Sequence, residues 1–318
     1  MAYQFIASHN FSFVPATNFS FARFLFNEAE HLKQQGGEEV FTFYWKNIEN
    51  QLFEARFSVI LFNKNGFSPL KATFGGVEFS EELSEASLMS FLKSVTLALP
   101  KIDSLEITLC PTNYLTEKQV QMLENCLKNL DFKEKYSDQN YYINVSERPF
   151  YQVLLSKRYK QLLRKSERLG FSFQACRNPN LKEIHAFIAR SRERKNRPMT
   201  MTLEVLERCF QLFPTQFYVF TLKKSENLLS VAVCIKISEH SLYTFYLADS
   251  DKYLGFSPSI GLLSGIYQFC QENKFRVLDL GIATEKGKLN EGLAFFKAHL
   301  GAESSLKKTF LLTFEKKL

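Results

Sequence analysis

One order of elements is written twice along this chain, and that recurrence restricts the fold more than any single motif does. In the first half, residues 41–45 and 53–62 are rich in aromatic and β-branched side chains and read as strands. A third, shorter strand leads into Thr73-Phe74-Gly75-Gly76. Ser84 then caps a helix with Leu88, Phe91, Leu92 and Val95 on one face, and the helix stops before Pro100. A strand over 105–109, a helix over 117–130 and two edge runs at 132–136 and 141–145 complete the set. The second half repeats it: strands over 217–222, 231–237 and 242–248, a helix over 259–271, a strand over 277–280, a helix over 291–300 and a strand over 309–314. Matching elements lie roughly 170–175 positions apart, the mark of a duplicated supersecondary unit. Ahead of the first copy the chain reads as turn-like, then as a helix over 19–35 stopped by Gly36-Gly37. Ahead of the second come a basic helix ended by Gly170, a strand over 171–175 and helices over 181–195 and 203–212. The expected fold is α/β (α+β), with two tandem domains over 1–148 and 149–318, each a mixed central sheet flanked by helices. A length of 318 residues suits two cores better than one.

The net charge of +7 is unevenly spread. Residues 1–150 hold 13 Lys and Arg against 18 Asp and Glu, while the remainder holds 27 against 15, a net of +12. A field gathered on one half concentrates anionic partners there, such as a small anionic substrate or one carried on tRNA. Solubility, or contact with the acidic half, would use the same charges. No apolar run approaches the ~20 residues of a membrane span. The first residues lack the basic and apolar regions of a secretory signal. Six cysteines stand singly, with no C-x-x-C and no metal spacing to the five histidines. A reduced, cytoplasmic and metal-free protein is expected.

Residues 275–302 hold the most suggestive chemistry. Val277-Leu278-Asp279-Leu280 reads as a buried strand ending at Gly281, followed by a polar loop with Glu285, Lys286 and Lys288. Asn290 is placed to cap the next helix, whose face carries Leu293, Phe296 and Leu300, and Gly301 sits where a C-terminal cap needs positive φ. Lys297 falls one turn after Leu293, at the edge of the apolar stripe, half buried and aimed back over the strand-to-helix loop. In α/β sheets that loop is where ligands dock. A lysine near a helix C-terminus also simply complements the dipole.

A second candidate is the loop over 249–259. Ser257 reads as an N-cap, Pro258 suits the first helical position, and free N–H groups at a helix start attract anions. Gly255 would let backbone approach a ligand, Lys252 adds charge and Ser259 lies in the first turn; a plain strand–helix turn uses the same residues. The equivalent place in the first half, Phe74-Gly75-Gly76-Val77, precedes the acidic pair Glu81-Glu82, which disfavours phosphate there. Arg190, Arg194 and Arg197 recur at helical spacing before Pro198 and can fork phosphate or carboxylate, or form a solvated helix end. Lys157, Lys160, Arg164, Lys165 and Arg168 could follow a nucleic-acid backbone, although interleaved exposed aromatics are lacking; a solvated face is the plainer reading. A G-x-S-x-G elbow, H-E-x-x-H, P-loop and G-x-G-x-x-G are all missing, and DNA recognition has no motif here.

In its order of elements the chain resembles the Gcn5-related N-acyltransferase (GNAT) fold in tandem, and most nearly the FemAB-type aminoacyl and peptidyl transferases. The resemblance rests on Val277 to Gly281, on Ser257-Pro258, on Phe296-Lys297 with Leu300-Gly301, and on the basic helix over 157–170. It covers nearly the whole chain. It implies acyl transfer to an amine from an acyl-CoA or an aminoacyl-tRNA. The lysine matching Lys297 would stabilise charge on the reacting ester, with Lys252, Gly255, Ser257 and Ser259 at the donor's phosphate. Arg194, Arg197 and Phe296 would contact substrate, and Asp279 and Glu285 lie near where a general base would stand. The loop over 252–259 departs from the wider fold's Q/R-x-x-G-x-G/A string, and no tyrosine occupies the last helix, which puts coenzyme A in doubt. A non-catalytic protein that kept the fold is the alternative.

Overall fold

The computed structural model describes residues 2–314. These residues form two compact units that interleave along the chain: one runs to Asn140 and takes in Thr284–Lys288 and the strand residues from Ser305, while the other comprises Tyr141–Ala283 and Leu289–Ser304. The boundary read from sequence at 148 and 149 lies a few residues past this division. Among the described residues no helix is long and apolar enough to cross a membrane.

The first unit contains β1 (Tyr3–His9), α1 (Ala29–Gln34), β2 (Glu39–Asn47), β3 (Phe53–Phe62), β4 (Asn65–Ser68), β5 (Val77–Phe79), α2 (Glu85–Ala98), β6 (Ser104–Thr108), α3 (Glu117–Asn129) and the greater part of β7 (Lys133–Asn144). Its sheet runs β1-β2-β3-β4-β6, antiparallel except that β4 and β6 are parallel. Alternation along β3 turns Ala55, Phe57 and Val59 onto the helical face, where Leu88, Phe91, Leu92 and Val95 of α2 and Leu123 and Leu127 of α3 bury them. Ser84 caps α2 and Thr116 makes a capping box with Gln119, so both helices begin where their sequences direct.

The second unit contains α4 (Phe150–Val153), α5 (Lys157–Arg168), β8 (Ser172–Cys176), α6 (Leu181–Glu193), α7 (Leu203–Leu212), β9 (Phe217–Lys224), β10 (Asn227–Ser238), β11 (Ser241–Asp249), α8 (Pro258–Glu272) and β12 (Val277–Ile282). The two-residue strands β13 (Thr284–Glu285) and β14 (Lys288–Leu289) follow, then α9 (Glu291–His299) and β15 (Glu303–Thr313). The second sheet runs β12-β11-β10-β9-β8, antiparallel except for the parallel pair β11 and β12. Ile260, Leu263, Ile266 and Tyr267 of α8 fill its core against Phe220, Ala232 and Leu278. Each unit is thus a mixed sheet flanked by helices, and the duplicated order is real: β6 and β12 start at 104 and 277, α3 and α9 at 117 and 291.

Four local expectations are corrected. Residues 19–35 are not one helix: only 29–34 are α-helical, and the backbone around Phe19 bridges to Phe53 instead (Phe53 N to Asn18 O 2.7 Å; Ser20 N to Phe53 O 3.1 Å). A helix would bury one face, whereas the open course packs Phe19 against Phe53 and sets Phe24 and Phe26 edge-on to Phe74. The first residues are not turn-like but form β1, paired with β2. The two edge runs are one strand, β7, because its polar middle finds partners: Gly287 N–H donates to Asp138 and Gln139 N–H to Thr284. The final strand starts earlier than its apolar residues indicate, at Glu303, whose carboxylate accepts from Tyr142 and Asn144.

A candidate acyl-transfer site

The site grows from the sequence Asp279-Leu280-Gly281. Asp279 is buried in the middle of β12, and its Oδ1 accepts from the Gly281 N–H at 2.6 Å. That bond fastens a sharp change of direction which only glycine takes without strain, since Gly281 has φ 75° and a Cβ there would lie 3.1 Å from the Tyr243 ring. Past this turn two successive carbonyls, of Gly281 and Ile282, are within reach of one side-chain donor. Helix α9 arrives in register because Asn290 caps it by side chain (3.0 Å from Leu293 N) and holds its start by donating from its own N–H to Ala283 O at 2.8 Å. Two turns on, Lys297 reaches back and donates to both carbonyls, each at 2.8 Å.

Lys297 is therefore more deeply placed than its position in sequence implies, with 6% of its surface exposed. Burial, opposed by the Asp279 carboxylate and reinforced by the Arg197 cation, lowers its pKa from 10.5 to about 7. An ammonium has three N–H bonds. Two are engaged by carbonyls, and the remaining tetrahedral position is a donor when the group is charged and a lone pair when it is neutral.

Beside this nitrogen the sheet splits. β11 and β12 pair only from Ser241 with Val277 to Tyr243 with Asp279. Past that point a β-bulge at Phe245 bends β11, Val233 facing Tyr246 and Cys234 facing Thr244. The wedge so opened is a cavity of about 770 Å³, within the range of small-molecule sites. Tyr243, Phe245, Leu263, Leu280, Leu293 and Phe296 give it apolar walls, and Arg192, Lys195, Arg197 and Lys297 give it positive charge. Tyr246 anchors the segment that brings those arginines: Met201 N–H donates to its hydroxyl at 3.1 Å, Thr200 pairs with the same oxygen, and the Arg192 guanidinium lies 5.4 Å from its ring.

The residues singled out from sequence distribute unevenly. Lys297, Arg197, Phe296 and Ser259 line this cavity. Asp279 stands behind Lys297 and does not line it. Lys252 and Arg194 line an adjoining cavity of about 660 Å³ that shares Asp249 with the first, and Arg194 donates to the Asp249 carbonyl at 3.4 Å. Glu285 is exposed in β13 and lines neither cavity. Gly255 is exposed, in a 3-10 turn over Asp251–Phe256, with open space where its Cβ would be. Ser257 holds the cap position with left-handed backbone (φ 47°) and makes no side-chain cap bond. The start of α8 carries a carboxylate instead, for the Ser259 hydroxyl donates to Asp249. Sequence reasoning misses Tyr243, Tyr246, Arg192 and Lys195. Their only local signal is the basic run ahead of Pro198, because tertiary packing alone brings that run to β11.

In the first unit the matching parallel pair, β4 and β6, shows no such opening. After Ser68 pairs with Ile107, Gly75 N–H donates to Thr108 O at 2.9 Å and the Phe74 ring fills the space, buried among Phe24, Phe26 and Tyr114.

No family model matches the chain. No curated protein matches it either. Among solved structures it is similar to FemX, at 14% identity and a TM-score of 0.68 over 89% of this chain and 90% of that one. It is similar also to L-PGS from Bacillus licheniformis (12% identity, TM-score 0.53, 90% and 88% covered). A tandem GNAT protein from the clavulanic acid biosynthesis pathway aligns over 100% of both chains, at 7% identity and a TM-score of 0.53. At such identities the likeness is one of fold, and it agrees with the two mixed sheets and their parallel strand pairs: the chain carries a tandem GNAT-like fold related to that of FemAB-type proteins.

Proposed function

We propose that the chain is an N-acyltransferase or aminoacyltransferase whose reaction takes place in the wedge between β11 and β12. The observation that carries this reading is the buried Lys297 ammonium, fixed by two backbone carbonyls and facing a cavity large enough for an activated ester. An amine nitrogen of the acceptor attacks the carbonyl carbon of the donor, and the carbonyl electron pair moves onto oxygen. The remaining N–H of charged Lys297 stabilises that oxyanion in a setting that excludes water from one side. Collapse restores the C=O bond and expels the ester oxygen or thioester sulfur with its electron pair, while the proton lost by the nitrogen passes to the leaving group or to solvent.

Arg192, Lys195 and Arg197 are proposed to hold the anionic part of a substrate, and Phe296 its apolar part. Asp279 acts through Lys297, as a positioning residue. The carboxylate of Asp249 at the start of α8 opposes a pyrophosphate there, which favours an oxygen ester such as aminoacyl-tRNA over an acyl-CoA. The resemblance to FemAB-type transferases agrees with that choice. Replacement of Lys297 by Met tests the reading with either donor. Acyl transfer falls by about 100-fold or more while donor binding persists. Unchanged transfer in that variant removes Lys297 from the chemistry, and absence of transfer in the wild-type chain with every acyl and aminoacyl donor leaves the fold as a binding module.

A further inference from the structure

On the surface of the second unit, helix α5 turns one stripe to solvent: Lys157, Arg158, Gln161, Arg164, Lys165 and Arg168. Five of those six are cations, and Glu167 is the helix's one exposed carboxylate. Apolar side chains stand out at both ends of the stripe. At its start Leu155 is 71% exposed and Phe295 61% exposed, and both adjoin His299, whose carbonyl accepts from Leu155 N–H at 3.2 Å and whose ring packs 3.9 Å from that of Phe295. At its other end Leu254 is 45% exposed, two residues before Phe256, whose ring lies 4.6 Å from the Lys165 ammonium.

We propose that this face docks on a phospholipid bilayer that carries anionic headgroups. The inference goes beyond the transferase reading and does not rest on it. A helix of 12 residues lying in the interface spans about 18 Å, long enough to set five cations against separate headgroups. Leu155, Phe295 and Leu254 then enter the boundary between headgroups and acyl chains, as the apolar side of an interfacial helix does. Charge complementarity alone would suit a nucleic acid equally. The aromatic rings under the stripe argue against it: the Arg164 guanidinium covers Tyr151 at 4.5 Å and Lys165 covers Phe256, so neither ring is open for a base to stack upon. Exposed leucines at both ends gain nothing from a phosphate backbone and gain burial from lipid.

Co-sedimentation of the full chain with vesicles of phosphatidylcholine, and of phosphatidylcholine mixed with phosphatidylglycerol, tests the proposal. The chain pellets with the mixed vesicles and not with the neutral ones, and salt weakens the partition. Lys157→Gln together with Arg158→Gln lowers it about 30-fold, at the usual contribution per basic residue near an anionic surface. Leu155→Ser with Phe295→Ser lowers it about tenfold, and does so at high salt as well. All four positions are exposed, so the melting temperatures of the variants stay at the wild-type value and a loss of partition reports the surface. Equal partition to both vesicle types, partition unchanged in either double variant, or retention of tRNA without partition to vesicles overturns it.

Discussion

Lys297 uses two N–H bonds to hold Gly281 and Ile282 in place, and in the proposed reaction its third meets the substrate. With a pKa near 7 the group is about half charged at neutral pH. If the charged form stabilises the oxyanion, kcat/KM falls as pH rises above about 7, along a limb absent from Lys297→Met. Removing the opposing charge by Asp279→Asn lowers that pKa further, so the limb moves to lower pH; a limb that stays fixed would assign it to another group. The same burial sets a stability signature. The unfolded lysine titrates near 10.5 and the folded one near 7, so between those values the unfolded state binds the extra proton. Stability therefore rises with pH across that window, by up to about 1.4 kcal/mol per unit, and is flat with respect to this group below it. Urea unfolding at pH 7, 8 and 9 measures the slope, which Lys297→Met abolishes. The lysine itself is legible in the sequence from its place on the apolar stripe, but its depth is not. Depth depends on the turn at Gly281, and Asp279-x-Gly281 announces only that a strand ends.

At the scale of elements, the helix that delivers Lys297 is closed by Gly301, with φ 85° and the Val153 carbonyl oxygen inside contact distance of where a Cβ would stand. Gly301→Ala therefore costs at least about 2 kcal/mol, and thermal melting of the variant measures it. Caps are the part of the fold most legible in the sequence: Ser84, Asn290, Pro258 and Gly301 occupy the places their chemistry demands. Capping is a local matter of side chain and adjacent backbone. Ser257 shows the limit of that reading, since the cap residue is in left-handed backbone and the nearby carboxylate of Asp249 takes the Ser259 hydroxyl instead. The course of residues 19–28 is illegible for a related reason. Its phenylalanines are spaced closely enough to read as a helix, yet the aromatic cluster around Phe74 outweighs intrinsic helical preference.

At the scale of the whole molecule, duplication is readable from the recurrence of elements, whereas the interleaving of the chain is not. Pairing partners are set by position in space. In the structure β15 pairs antiparallel with β6: Thr309 faces Thr108, Thr313 faces Ser104, and Phe310 is fully buried in the first unit's core. Phe310→Ala thus removes a ring from a core otherwise built of residues 43–132, at about 3–5 kcal/mol. Cys126, in that same core, then reacts with a thiol reagent before Cys234 and Cys270 of the second unit do. Equal reaction of all three would mean that the units unfold together.

The late arrival of β15 also has a temporal side. On the ribosome, β6 is complete about 200 residues before the strand that covers its edge emerges, and at roughly 5–20 residues per second that is an interval on the order of ten to forty seconds. Throughout it the nascent first unit presents the open edge of β6, a ready partner for other chains, so a holdase or a slow codon tract would influence yield before any substitution in the finished protein does.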